Sequence, residues 1–199
     1  MTVKNIKIFS QNIHKNNFII STILETQHDF NIIFIQELSW LFICFLPSSK
    51  NAEGKELVGV PNYPNWTTFS RSSSQDNNFP RVITYINVQL LSLCFSLRND
   101  IFNHRDISCV LFFNNGFVYF LINVYSDSSQ VALKYLKDTE INISNILIMT
   151  NDFNIRDSSW DLNFPHHSYY SNVLFEIADS FQLELSRPTE QVSTRYSDN

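Results

Sequence analysis

The stretch Asn31-Ile32-Ile33-Phe34-Ile35-Gln36-Glu37 decides the fold. A short, unbroken apolar run that passes straight into Gln-Glu is the pattern of a strand buried on both faces. Reading back toward the N-terminus, Phe18 to Gln27 has helical spacing through Ile19, Ile20, Ile23 and Leu24, and Ile6 and Ile8 lead into a strand that ends at Gln11-Asn12. Reading forward, Pro47 to Pro64 is a loop, Trp66 to Ser70 a strand, and the Ser/Asn-rich patch Ser72 to Asn78 another loop. Three β-runs follow, Arg81 to Val88, Ile107 to Phe113 and Phe117 to Tyr125, with a strong hairpin signal at Asn114-Asn115-Gly116. Ser128 to Asp138 is expected to be helical with Ser128 or Ser129 as its cap. Ile146 to Met149 is a second buried strand, running into Asn151-Asp152-Phe153-Asn154, and Ser171 to Phe181 is the last helix. Strands and helices interleave, but hairpins lie among them. The mixture fits an α/β fold of two packed, mainly antiparallel sheets flanked by helices better than one parallel sheet.

Composition sets the outer bounds. A chain of 199 residues with 44% hydrophobic content is read as one domain, 1–199, with a substantial core. Only 3 Gly serve its turns, so Asn, Asp, Ser and Pro must do so instead. The formal net charge of −5 argues against tight, non-specific nucleic-acid binding, although carboxylates that hold metal ions would count toward that total. Cys44, Cys94 and Cys109 show no metal-type pairing and read as reduced thiols of an intracellular protein. The N-terminus enters a strand pattern at once, and Leu41 to Leu46 is too short to span a bilayer, so neither a leader nor a membrane segment is expected.

Polar residues suited to metal or phosphate chemistry follow the ends of four separate buried strands: Asn12, Glu37, Tyr125, and Asp152 with Asn154. Strand ends are where α/β proteins gather a site from distant parts of the chain. Mg²⁺ takes oxygen ligands, often one or two carboxylates with several retained waters, which Glu37 and Asp152 are able to supply. Taken singly, each residue has a plainer reading. Glu37 is a solvated loop carboxylate, Asp152 with Asn154 an Asx-type turn, Asn12 a cap, and Tyr125 a core-edge aromatic. His166 and His167 read as exposed loop residues. His104-Arg105-Asp106 resembles a kinase catalytic loop, but no Gly-rich loop accompanies it. Arg71, Arg81, Arg98 and Arg105 are candidates for a DNA-facing rim.

In combination the four segments resemble a known family. Gln11-Asn12, Ile35-Gln36-Glu37, Asn123-Val124-Tyr125 and Asp152-Phe153-Asn154 are similar, in order and spacing, to the signature of the endonuclease/exonuclease/phosphatase superfamily. Within it, Asn123 to Ser129, Asp152 to Asp157 through Trp160, and Pro188-Thr189 with Thr194-Arg195 resemble the endonuclease domains of non-LTR (LINE-type) retrotransposons. The resemblance covers essentially the whole chain and implies a four-layer sandwich, two mixed sheets between helices.

The resemblance also implies roles. Glu37 is then the principal metal ligand, for Mg²⁺ or Mn²⁺. Asp152 orients or deprotonates the attacking water, Asn12 and Asn154 hold the scissile phosphate, and Tyr125 donates to a phosphate oxygen. The implied reaction is in-line phosphodiester hydrolysis of DNA, with a reverse transcriptase domain as partner in a full-length element and the nucleus as the site of action. The alternatives are a phosphatase of the same superfamily, which the sequence around Tyr125 to Ser129 and Trp160 disfavours, or a non-catalytic remnant.

Three departures accompany the likeness. His14 stands where relatives often carry Asp or Asn, a poorer ligand position for a hard cation. Asn151 replaces a usual Gly, a mild change if that position needs positive φ. The family pattern also closes with a Ser-x-Ile-Asp-type strand and a Ser-Asp-His strand, and the chain reaches Asn199 before both. The expectation from the resemblance is a domain incomplete at its C-terminus, its final strands missing and its activity impaired.

Overall fold

The computed structural model describes residues 6–38, 49–50, 56–57, 63–71, 79–139, 143–160 and 164–184. The segments expected to be loops at 51–55, 58–62 and 72–78, and Pro188-Thr189 with Thr194-Arg195, lie outside these residues. The chain divides into two units, Met1–Asn154 and Ile155–Asn199.

The first unit holds two four-stranded sheets. One carries β1 (Ile8–Asn12), β2 (Ile32–Gln36), β6 (Val82–Asn87) and β5 (Trp66–Phe69), in that order across the sheet. The other runs β10 (Ile146–Asp152), β9 (Phe117–Tyr125), β8 (Ile107–Asn114), β7 (Ser96–Leu97). A short antiparallel ladder, β3 (Ser49–Lys50) with β4 (Glu56–Leu57), lies in the stretch read as a loop. Two pairs are parallel, β1 with β2 and β9 with β10, and each needs a crossover. Helix α1 (Asn17–Thr26) makes the first and α2 (Val131–Asp138) the second. The remaining pairings of both sheets are antiparallel, so the fold is α/β with two mixed sheets.

Alternation along the strands sorts the core. Ile33, Ile35, Ile83 and Tyr85 face Ile20, Ile23 and Leu24 of α1, while Ile32, Phe34 and Ile86 pack on Val110, Phe112 and Leu121 of the other sheet. The helical spacing of Ile20, Ile23 and Leu24 is what buries one side of α1, and the Asn16 side chain caps it by accepting from the Phe18 N–H. The hairpin closes through Asn115 (φ 52°) and Gly116 (φ 82°), the two positive φ values that a two-residue turn of matching twist requires.

Two local expectations are corrected, and one element appears that had none. Helix α2 is capped by neither Ser128 nor Ser129. Ser129 is spent on the Asp127 carboxylate, and the cap position falls to Gln130, left-handed at φ 56° and without a side-chain cap bond. Asn151 lies within the extended strand β10, and positive φ appears instead at Asn154 (49°) and Glu37 (57°). A 3₁₀ turn over Val88–Leu93, which has no periodic signature, follows β6.

In the second unit, α3 (Tyr169–Ser180) begins two residues before the expected start. Ser168 accepts from the Ser171 N–H at 3.0 Å and its own N–H donates to the Ser171 hydroxyl at 3.1 Å, a reciprocal cap. The buried Asp157 carboxylate accepts from the Ser171 hydroxyl, from the backbone N–H groups of Ser159 (2.9 Å) and Ser168 (3.0 Å), and lies 3.0 Å from His167 Nδ1. Burial pushes this carboxyl up, but those hydrogen bonds outweigh it and hold it well below the usual carboxylate range.

A candidate active site at the shared strand ends

The space between the two sheets changes character along the strands. Past the apolar layer of Phe34, Ile86, Val110 and Leu121 come buried polar side chains. Asn123, fully buried, accepts from Gln36 Nε2 at 2.8 Å and donates to the carbonyls of Ile35 (3.2 Å) and Ile83 (2.9 Å) in the facing sheet. Gln36 also donates to Ser10 Oγ at 2.9 Å, and Ser10 meets Thr150 Oγ1 at 2.8 Å. This chain of hydrogen bonds ties β1, β2 and β6 to β9 and β10, leaving buried amides satisfied where hydrocarbon would otherwise be needed.

One step further on, the strands end. Parallel pairing sets Asn12 opposite Gln36 and Asp152 opposite Tyr125, so the C-terminal ends of β1, β2, β9 and β10 arrive at one edge. Asn12 Nδ2 donates to Asp152 Oδ2 across the two sheets. The Asn12 carbonyl oxygen accepts from the His14 N–H at 2.7 Å, which turns the amide so that its nitrogen faces Asp152. The other oxygen of Asp152 accepts from the Asn154 N–H at 3.2 Å, and Asn154 Nδ2 donates to the Ser126 carbonyl at 2.9 Å. The Asx turn is therefore present, and it is also what presents Asp152. Gln130 holds this turn from behind, donating to the Phe153 carbonyl at 2.9 Å and accepting from the Ser126 hydroxyl at 2.8 Å.

Glu37 follows β2 with a left-handed backbone (φ 57°), an unfavourable state for a residue with a Cβ. Two backbone bonds hold the turn: Lys15 N–H to the Glu37 carbonyl (2.9 Å) and Leu38 N–H to the Arg81 carbonyl (3.1 Å). Its carboxylate is 17% exposed, with His14 Nδ1 at 3.2 Å and Lys15 Nζ at 4.0 Å. Tyr125 is 6% exposed. Burial pushes its phenol up to about 12, reinforced by the negative charge of Glu37, while Arg81 opposes the rise and Asp127 and Asp152 add to it. The phenol thus keeps its proton, and is a hydrogen-bond donor, throughout the neutral range.

Arg81 and Asp106 belong to this edge in a role that the sequence reading did not give them. Arg81 grips Asp106 through Nε and Nη2, 2.5 Å each, and Asp127 through Nη1 at 3.0 Å. Its guanidinium carbon lies 4.7 Å from the Tyr125 ring centroid. Arg81 is thus committed to carboxylates, as is Arg98 to Asp100, which alters the expectation of a DNA-facing arginine rim. The missed signal was antiparallel register. Gln36 pairs with Val82 and Val124 with Ile107, so Arg81 and Asp106, just ahead of their strands, must lie beside Glu37 and Tyr125.

Among the described residues, no group of three or more His, Cys, Asp or Glu side chains is arranged to hold a metal ion. A single carboxylate is a donor that a hard cation such as Mg²⁺ takes together with retained waters. Glu37, hard, anionic and partly exposed, has the chemistry of that ligand.

No protein-family model matches the chain, and no curated protein matches it. Among solved structures, the chain is similar to the endonuclease domain of TRAS1, a telomere-specific non-LTR retrotransposon, with a TM-score of 0.61 and 11% identity. The match covers 88% of this chain and 70% of that one. At that identity the likeness is one of fold: two mixed sheets with helices, in an α/β arrangement. Among the described residues, no helix is long and apolar enough to cross a membrane.

Proposed function

We propose that this strand-end edge is the active site of a divalent-cation-dependent phosphodiesterase acting on DNA, of the kind carried by retroelement polyproteins. The observation that carries the reading is the junction of Asn12, Asp152 and Asn154 at the edge where Glu37 and Tyr125 also lie. The similarity of fold to a retrotransposon endonuclease domain supports it.

Each side chain has a task suited to its surroundings. Asp152, held on one oxygen by Asn12 and on the other by the Asn154 N–H, orients a water and takes its proton as the water attacks phosphorus, while the opposite P–O bond breaks and the departing sugar oxygen takes a proton from solvent. The N–H bonds that Asn12 and Asn154 do not spend on Asp152 and Ser126 are neutral donors that hold a phosphate without repelling the attacking oxygen. Tyr125, protonated at neutral pH, donates to a non-bridging phosphate oxygen. Glu37 would hold Mg²⁺, or Mn²⁺, which when bound stabilises the negative charge that develops on the phosphate. With a net charge of −5, affinity for DNA depends on local contacts and falls steeply with salt. A reverse transcriptase domain as partner, and work in the nucleus, belong to the same reading.

The test is conversion of supercoiled plasmid to open circle by the purified chain. Nicking that requires Mg²⁺ or Mn²⁺ and stops on chelation is the expected result, and nicking that persists undiminished in chelator would reject the reading.

A further inference from the structure

Arg81 is a charged residue of this edge to which the proposed reaction gives no role. Its position is unusually over-determined. The backbone N–H donates to the Arg105 carbonyl at 2.9 Å, and the carbonyl accepts from Leu38 N–H, immediately after Glu37. The guanidinium fork closes on Asp106, whose carboxylate is 1% exposed, while Nη1 reaches Asp127. Asp106 in turn accepts the Tyr125 N–H on its backbone carbonyl at 2.9 Å. One positive charge thus faces two carboxylates, so Arg81 brings no net attraction for a phosphate. What it brings is a flat, fixed surface over the Tyr125 ring.

We propose that Arg81 is a positioning residue: locked from behind by Asp106, its guanidinium holds the Tyr125 phenol at the angle from which it meets the substrate. This rests on the reading of Tyr125 as a phosphate donor, and it goes further by naming what aims that donor. A phenol free to swing loses the alignment on which an in-line displacement depends.

The experiment labels the full chain with 3-fluorotyrosine and assigns the Tyr125 ¹⁹F resonance with Tyr125→Phe. The variant Arg81→Met/Asp106→Asn removes the guanidinium and its buried counter-charge together, so that neither is stranded. Arg81→Lys and Asp127→Asn disturb the fork with less risk to folding. The expected result is a displaced, broadened Tyr125 resonance, largest in the double variant. Arg81→Lys should not restore the native signal, because an ammonium has no plane to stack. DNA cleavage at saturating substrate should fall about 10- to 100-fold, with KM little changed and no added loss from Tyr125→Phe. An unmoved resonance in variants that melt cooperatively overturns the proposal, as do losses from Arg81 and Tyr125 that multiply independently. If the unsubstituted chain cleaves no DNA, the phosphodiesterase reading fails on its own and the resonance alone decides whether Arg81 fixes Tyr125.

Discussion

Asn12 and Asp152, 140 positions apart, meet at the edge of two different sheets, the amide of one donating to the carboxylate of the other. The bond joins the ends of the first and last strands of the sheet pair and fixes one oxygen of the group assigned to activate water. Asn12→Asp is nearly isosteric but replaces the donor with a like charge. Hydrolysis at pH 7.5 should fall by about 100-fold or more. Single-turnover rates of the two proteins check this, and equal rates would show that the contact does not matter.

Asn123 carries the polar seam between the sheets. Replacing it with Ala leaves the Gln36 amide with Ser10 Oγ but without its second acceptor, and removes the donor from the Ile35 and Ile83 carbonyls. Urea unfolding of Asn123→Ala should show a loss of about 2–4 kcal/mol, made up of lost hydrogen bonds and a stranded polar group.

Tyr85 is the opposite case. Its ring is fully buried under α1, and its hydroxyl is the buried side-chain group without a hydrogen-bond partner among the described residues. Burial accordingly pushes its phenol far above the ordinary value. Tyr85→Phe should keep the packing and raise stability by about 1 kcal/mol, seen as a higher urea midpoint with unchanged slope.

These two positions show what a sequence reading reaches and where it stops. The apolar runs at Ile32–Ile35 and Ile146–Met149, the α1 spacing and the Asn115-Gly116 turn carry their structure in local periodicity and turn chemistry, and the elements appear where those signals lie. Asn123 and Gln36 do not, because a polar residue inside a strand looks the same whether it faces water or a partner sheet. Their role depends on which sheet lies opposite. The cap of α2 failed for a similar reason: Ser129 was chemically able, but Asp127 took its hydroxyl. Arg81 and Asp106 were recoverable in principle, through the antiparallel pairings that set the start of β6 and β8 beside the ends of β2 and β9.

Asp157 offers a pH test within the second unit. Its folded pKa lies below the unfolded value, so the stability it contributes is complete above about pH 4 and is lost as pH falls through the folded value. Asp157→Asn should cost about 1.5–3 kcal/mol at pH 7, the scale of hydrogen bonds to a charged group, and the deficit against the unsubstituted chain should shrink as acid protonates Asp157. Denaturant unfolding at pH 7 and pH 3 gives both numbers, and a deficit that grows in acid would contradict the assignment.

The account rests on Asp152 and Glu37 acting on one phosphodiester, and single-turnover cleavage of a defined DNA duplex over a Mg²⁺ series measures that directly. Asp152→Ala should lower the rate by about 100-fold or more at every Mg²⁺ concentration. Glu37→Gln should instead shift the Mg²⁺ dependence to higher concentration, because it removes the hard anionic ligand. Cleavage by both variants at the unsubstituted rate, with an unshifted Mg²⁺ dependence, would mean that the strand-end edge is not the active site.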